Sequence, residues 1–340
     1  MFRITLVVFF CICVNETFSQ TVDYGSFRFM FYNCENLFDT KDDSLTSDEE
    51  FLPEGERGWS NARYYRKISS VGKVIVASGN PSPPSIVALC ETESLQVFKD
   101  LVNSPLLIRF GYKFVAGSTH DRRGIRTGLL YRDSIIRVIK VRSLYPPELA
   151  AKKVESRDIL ECTVAAGADT FCIYVNHWPS RRGGILAGSD SRFSFSRYLK
   201  AVSDSVLMAF RPSVKVLITG DFNSEAGSEE IDFLIKGGRT GLKLLAAYSE
   251  AGVGGTYKYM GRWEDIDLII VSESVLKDAE ACSSRMTKNI FDKDFLFVKD
   301  IAYTGRKPHS TYSGYVYSGG YSDHLPVFTD IYYKKFRKRE

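Results

Sequence analysis

The stretch VLITGDFNSE runs from Val216 to Glu225, and in it a β-branched apolar run breaks at Gly220 into Asp221, Phe222 and Asn223. Taken alone it is a buried strand ending in a turn, since short apolar runs bounded by Gly, Asp and Asn read that way. The same event recurs along the chain. FMFYNCENLFD (Phe29–Asp39) ends in Asn33, Glu35 and Asn36, and SIVALCETES (Ser85–Ser94) ends in Glu91. YVNHWPS (Tyr174–Ser180) ends in Asn176 and His177. WEDIDLIIVS (Trp263–Ser272) carries Asp267, and GYSDHLPVF (Gly320–Phe328) carries Asp323 and His324. Six polar clusters alternating with apolar strands are more than turn chemistry requires.

Between the strands lie helical patterns. RYYRKISSVGKVIVAS places Tyr64, Ile68, Val71 and Ile75 on one face, and RFSFSRYLKAVSDSVLMAF does the same with Phe195, Leu199, Val202 and Val206. Many strands with few helices predict stacked mixed sheets with helices outside. The acidic segment LFDTKDDSLTSDEEFLPEGERGWS (Leu37–Ser60) reads as a solvated loop.

The 340 residues are 44% hydrophobic and 25% charged, an ordinary globular composition. The formal net charge is +4, and the tail KKFRKRE alone carries that much, so the body is neutral and bulk charge gives no support for nucleic-acid binding. Residues 1–19 read as a cleaved signal peptide: Arg3, an apolar run from Ile4 to Val14, then Thr17 and Ser19 before Gln20. The expected location is therefore secreted or periplasmic, with residues 22–335 as one catalytic domain and 336–340 as a basic tail. No later segment is long and apolar enough to span a membrane, and the chain is expected to be a monomer. Removing the leader leaves Cys34, Cys90, Cys162, Cys172 and Cys282, an odd set that makes no disulfide framework. Cys162 and Cys172 lie symmetrically about Gly167, so a hairpin there is expected to set them face to face; strain across the strand pair argues against a bond.

The clustered groups suit phosphoester hydrolysis. The reaction needs its phosphate oxygens neutralised, a water positioned and a leaving oxygen protonated. A hard cation such as Mg²⁺ prefers the oxygens that Glu91, Asn33 and Asp323 can supply, and a His–Asp pair can move protons. No zinc-type Cys/His spacing and no phosphate-binding G-x-x-x-x-G-K-[ST] loop is present.

The ordered set YNCENLFD, ALCETE, NHWPSR, GDFNS, IDLII and SDHLP resembles the endonuclease/exonuclease/phosphatase superfamily, the group that includes deoxyribonuclease I. The match runs from about Phe27 to Phe328, and its forms look most similar to secreted bacterial members. The resemblance implies a four-layer α/β sandwich, two mixed β-sheets packed face to face with helices outside, and a divalent-metal-dependent hydrolase using Mg²⁺ or Mn²⁺. It implies Glu91 as the main metal ligand, Asn33 orienting metal and phosphate, and Asp323 completing the metal cluster or the shell of residues behind it. Asp221 would position water, Asn223 would hold the scissile phosphate, and His324 would transfer a proton while paired with Asp267. The preference for Asp267 over Asp265 follows the IDLII frame. His177 matches a second family histidine, with Asn176 beside it as the competing alignment. Glu35 is either a further metal ligand or a support behind one, and Arg126 and Arg181 would clamp the substrate phosphate.

The expected substrate is nucleic acid, tracked by the basic loops HDRRGIR, SRRGG and NARYYRK and stacked on Tyr64, Tyr65 or Trp178. The alternatives are a phospholipid head group or small phosphoester, and an inactive binding module on the same scaffold. No apolar loop or amphipathic helix suited to a membrane surface stands out in the sequence.

Overall fold

A computed structural model describes residues 22–181, 188–210, 214–236 and 241–336 of the chain. The expected leader and all of the basic tail except Phe336 lie outside the described residues.

The chain opens with β1 (Tyr24–Leu37), α1 (Asn61–Ala77), β2 (Ile86–Thr92), α2 (Leu95–Val102), β3 (Tyr112–Ala116) and β4 (Arg126–Arg132). It continues with β5 (Arg137–Leu144), α3 (Pro147–Ala151), β6 (Ile159–Ala166), β7 (Asp169–His177), α4 (Ser189–Phe210), β8 (Val214–Asp221) and α5 (Glu229–Lys236). Then come β9 (Leu242–Leu244), β10 (Ala247–Ser249), a hairpin of β11 (Tyr257–Tyr259) and β12 (Arg262–Glu264), β13 (Asp267–Ser272), α6 (Glu273–Ala281) and β14 (Lys288–Ile290). Two more hairpins, β15 (Phe297–Lys299) with β16 (Arg306–Pro308) and β17 (Tyr312–Ser313) with β18 (Val316–Tyr317), precede β19 (Val327–Lys334).

The strands form two large mixed sheets, ordered β10-β14-β19-β1-β2-β4-β3 and β5-β6-β7-β8-β13-β9. β1 with β2 and β7 with β8 are parallel pairs inside otherwise mostly antiparallel sheets. The two-residue period of a strand decides what each sheet buries. In the second sheet Ile173, Val175, Leu217, Ile269 and Val271 join the core shared with Phe29, Phe31 and Leu89 of the first sheet. Their neighbours Tyr174, Val216, Ile218, Leu268 and Ile270 face the other way, against Phe195 and Leu199 of α4 and Ile231 and Leu234 of α5. Ile68, Val71 and Ile75 of α1 cover the first sheet, as the helical pattern predicts. The result is the expected four-layer sandwich.

The register of the β6–β7 hairpin corrects one expectation. Its turn is Gly167–Ala168, with Ala166 opposite Asp169, so Cys162 pairs with Ile173 and Cys172 with Thr163. The two cysteines are offset by one position and lie on opposite faces of the sheet, and both are free thiols. A hairpin symmetric about one residue would have aligned them; a two-residue turn puts the symmetry point between residues.

Candidate active site

The ladder of the second sheet builds the first half of the site. His177 on β7 is opposite Asp221 on β8, and Asp221 is opposite Asp267 on β13. Cross-strand partners share a face, so the three side chains form a row on the inner face at one end of the sheet. Gly220 permits the approach of β7 and β8 here: a Cβ at this position would lie 2.3 Å from the Asn176 carbonyl oxygen.

The first sheet supplies the second half. Asn33, on β1, donates from Nδ2 to Asp221 Oδ2 (3.1 Å) and to Glu91 Oε1 (3.3 Å). Glu91 Oε2 accepts the Asn36 N–H at 2.7 Å. Both strands break their ladders at this point, and Glu35, Asn36, Glu91 and Asn223 adopt positive φ of 50°, 47°, 58° and 49°. Each such backbone costs roughly 1–3 kcal/mol for a residue other than glycine, and here the cost accompanies side chains aimed at one corner.

The histidines differ in charge. His324 Nδ1 is 2.8 Å from Asp267 Oδ2, its Nε2 is 3.8 Å from Asp221 Oδ2, and its ring stacks on Tyr257. Burial opposes the charged ring, but the Asp267, Asp221 and Asp323 carboxylates outweigh it and raise His324 well above the ordinary histidine range. His177 Nε2 lies 3.7 Å from both Glu91 Oε1 and Asp221 Oδ2. Burial and the Arg157, Arg123 and His324 charges hold His177 well below that range, as a neutral ring.

Burial pushes the Asp221 carboxyl up to about 7, against the His324 charge and with the Asp267 and Glu91 charges. Asp323 also rises to about 7, through burial and the Glu35 and Glu91 charges, with His324 and Lys67 opposing. Carboxyls that keep protons near neutrality mark a corner short of positive charge, and hard oxygen donors there fit a divalent cation. Glu91, Asn33 and Asp323 could hold it, with Asp221 adjoining. Among the described residues, one group of three acidic or histidine ligand atoms lies within 4.8 Å of one another: Asp221, Asp267 and His324. His324 is already engaged by Asp267 through Nδ1, so proton handling suits these residues better than coordination.

Several expected site residues are placed elsewhere. Asn176 faces the helical layer: its Nδ2 donates to the Tyr174 and Thr219 carbonyls and its Oδ1 accepts from Trp178 Nε1. Strand alternation thus brings His177, not Asn176, into the row. Glu35 accepts the Thr311 N–H (2.6 Å) and the Tyr312 N–H (3.4 Å), with Lys67 Nζ at 3.7 Å, so it supports the β17 segment behind Asp323. Arg181 is ion-paired to the buried Glu264, and Arg126 donates from Nε to the Glu93 and Gly124 carbonyls. Tyr64 and Trp178 are core residues, Tyr64 bonding Asp100 through its hydroxyl, so neither can stack a base. Asn223 Nδ2 donates to the Trp178 carbonyl at 3.1 Å, at the edge of the row. Asp265 pairs with Lys288, which leaves Asp267 as the partner of His324.

Two arginines at the site were not singled out by the sequence. Arg157 is buried and donates to the Trp178 carbonyl at 2.7 Å, and Arg123 reaches Asn36 Oδ1 at 3.5 Å. Asp121 holds both guanidinium groups, at 3.1 Å from Arg123 and 3.5 Å from Arg157. Arg123 shares the loop HDRRGIR with Arg126, and no periodicity in a loop tells one from the other. Arg157 carried a weak signal, a charge two residues before the buried strand β6.

The sequence profile of the Endonuclease/Exonuclease/phosphatase family matches residues 28–334. A search of curated proteins by sequence finds no match. In shape the chain is similar to an endonuclease/exonuclease/phosphatase family protein from Bacteroides thetaiotaomicron, at 14% identity over 92% of this chain and 99% of that one, with a TM-score of 0.57. It is similar to TDP2 from D. rerio, solved with a single-strand DNA product, at 15% identity over 91% and 99% of the two chains and a TM-score of 0.51. It is also similar to a mannosyl-6-phosphatase from Bacteroides thetaiotaomicron VPI-5482, at 13% identity over 90% and 99% and a TM-score of 0.53. At these identities the likeness is one of fold.

Proposed function

Because the chain belongs to the Endonuclease/Exonuclease/phosphatase family, we propose that it is a divalent-metal-dependent phosphodiester hydrolase acting at the corner where its two sheets meet. The observation that carries this reading is the surroundings of Asp221: Asn33 Nδ2 at 3.1 Å, His177 Nε2 at 3.7 Å and His324 Nε2 at 3.8 Å from one carboxylate oxygen. A carboxyl that titrates near neutrality is matched to accepting a proton from water. His324, held charged by Asp267, supplies a donor to a phosphate oxygen or the leaving group. Neutral His177 and the Asn223 amide offer hydrogen bonds without adding a negative charge, while the Asn33 amide holds Asp221 and Glu91 in place. Glu91, Asn33 and Asp323 would hold Mg²⁺ or Mn²⁺, which when bound neutralises phosphate charge and polarises the bond to be cleaved. Arg123 and Arg157 add fixed positive charge beside the row.

Nucleic acid is the first substrate class. Arg123 at the site supports it, as does the similar fold of D. rerio TDP2, whose structure holds a single-strand DNA product. A lipid-borne phosphodiester is the second, and one observation favours it. Lys258 of β11 bonds the Thr304 and Arg306 carbonyls, lacing the β11–β12 hairpin to the β15–β16 hairpin. Tyr259 and Met260 on the β11–β12 hairpin, whose Tyr257 stacks on His324, and Ile301 and Tyr303 in the β15–β16 turn are all exposed. The sequence did not reveal these apolar tips, because each residue is isolated among polar neighbours and only hairpin pairing collects them. Among the described residues no helix is long and apolar enough to cross a membrane. Turnover of single- and double-stranded oligonucleotides, phospholipid vesicles and a sugar phosphate, each with Mg²⁺ or Mn²⁺, decides between the classes. Failure on all of them would remove the hydrolase reading and favour a binding module. Export through the Met1–Ser19 leader is part of the proposal and is checked by N-terminal sequencing of the protein recovered from outside the cytoplasm.

A further inference from the structure

Asp267 holds the ring of His324 with one oxygen, Oδ2; its other oxygen, Oδ1, is buried and has no hydrogen-bond partner among the described residues. The aim of this carboxylate therefore depends on how the main chain of Asp267 is held. The second sheet holds it on one side only. Asp267 and Asp221 face each other as a pair without mutual main-chain bonds: the Phe222 N–H goes to the Ile266 carbonyl at 2.9 Å, so the N–H and C=O of Asp267 point away from β8. β9, the strand on that side, pairs with Ile270, Val271 and Ser272 and stops short of Asp267. Two side chains take its place. The Asp267 N–H donates to Thr256 Oγ1 at 3.3 Å, and Lys288 Nζ donates to the Asp267 carbonyl at 2.8 Å.

Lys288 is the first residue of β14, in the other sheet; it is 0% exposed and ion-paired with Asp265. A buried ammonium gives up its hydration, and exchanging a buried ion pair for apolar side chains is often neutral or stabilising, so packing alone does not call for a lysine here. What an apolar side chain could not supply is the donor to the Asp267 carbonyl. We propose that Lys288 is a positioning residue for the Asp267–His324 pair. Anchored by Asp265, it crosses from the first sheet to the second and fixes the Asp267 main chain so that the carboxylate meets His324 Nδ1. Its effect on turnover rests on the hydrolase reading; its effect on the hydrogen bond rests on the geometry alone.

The test uses the full chain with Lys288→Met, which keeps an unbranched side chain and removes its charge and donors. Where that variant does not fold, Lys288→Met/Asp265→Asn, which leaves no unpaired carboxylate, replaces it. The NMR signal of the His324 Nδ1–H proton bonded to Asp267, identified by its absence from His324→Ala, should shift upfield or disappear. With a phosphodiester and Mg²⁺, kcat should fall at least about tenfold while KM stays within about twofold, the mark of an interaction that acts in the chemical step. In a His324→Ala background the same substitution should lower kcat no further, because the ring that it positions is gone. A folded variant that keeps the wild-type signal overturns the proposal. So does a loss of kcat by the same factor in both backgrounds, which marks a general effect on the fold. A wild-type chain that hydrolyses nothing removes the hydrolase reading instead, and the NMR signal then decides on Lys288 by itself.

Discussion

The Asn33 side-chain amide donates to Asp221 Oδ2 across 3.1 Å and thereby ties the end of β1 in one sheet to the end of β8 in the other. Asn33 is 1% exposed and Asp221 2% exposed. The catalytic corner therefore exists only where the sheets pack, and this bond is a fastening as well as an element of the site. Asn33→Ala leaves a buried acceptor unpaired, which costs about 1–3 kcal/mol. The variant should unfold at lower denaturant and lose turnover, read by a urea melt and an initial-rate assay on the same preparation.

The pairing of His324 with Asp267 at 2.8 Å sets a pH limit. The ring keeps its proton well above the ordinary histidine range, so activity that needs the charged ring persists there and falls as pH rises through the elevated value. Asp267→Asn removes the strongest charge holding that proton. Its alkaline limb should move to lower pH and its turnover should drop, while His324→Ala should lose at least about 10²-fold at every pH. A pH–rate profile of the three proteins separates the effects; an Asp267→Asn limb that does not move would show that the pair does not govern the ring.

Asp221 and Asp323 predict how metal and stability are linked. Both carboxyls titrate near 7 in the fold, against 3.8 for an ordinary aspartate. The folded chain thus binds protons between about pH 4 and 7 that the unfolded chain has released, and the contribution of these groups to stability falls as pH rises through that window. In chelator the Tm contribution should decline from pH 4 toward 7. Mg²⁺ should offset the decline most at neutral pH, and metal-free Asp323→Asn should melt above metal-free wild type at pH 7. Scanning calorimetry at three pH values, with and without Mg²⁺, checks the sign.

The sandwich and most of the corner were legible in the sequence because both rest on local pattern. Apolar runs of strand length mark the sheets, and a polar residue at a run's end marks the side where loops gather. His177, Asp221, Asp267, His324, Asn33 and Glu91 all came from that signal and do meet. What did not come through depends on register or on long-range pairing. Asn176 and His177 are equivalent as letters until the β7–β8 ladder assigns each a face. Arg181 reads as a free cation until Glu264, 83 residues away, takes it up. Glu35 reads as a metal ligand until its carboxylate meets the main chain at Thr311 and Tyr312. Asp48 looks solvated in an acidic loop until the loop turns back on itself and buries it, its Oδ2 accepting the Asp43 N–H.

The one-position offset of Cys162 and Cys172 predicts that no bond joins them. Thiol labelling under denaturing, non-reducing conditions should modify both. Peptide mapping that finds them linked would require a register other than the one described.

The most direct measurement is hydrolysis of a phosphodiester by the purified chain, compared with its Glu91→Gln variant, in chelator and after addition of Mg²⁺ or Mn²⁺. Wild-type protein should be silent in chelator and recover on metal addition, and Glu91→Gln should stay at least about 10²-fold below it at the same metal concentration while melting as a folded protein. Full wild-type turnover in chelator, or an undiminished rate in Glu91→Gln, would contradict a metal-dependent hydrolase centred on Glu91, Asn33 and Asp221.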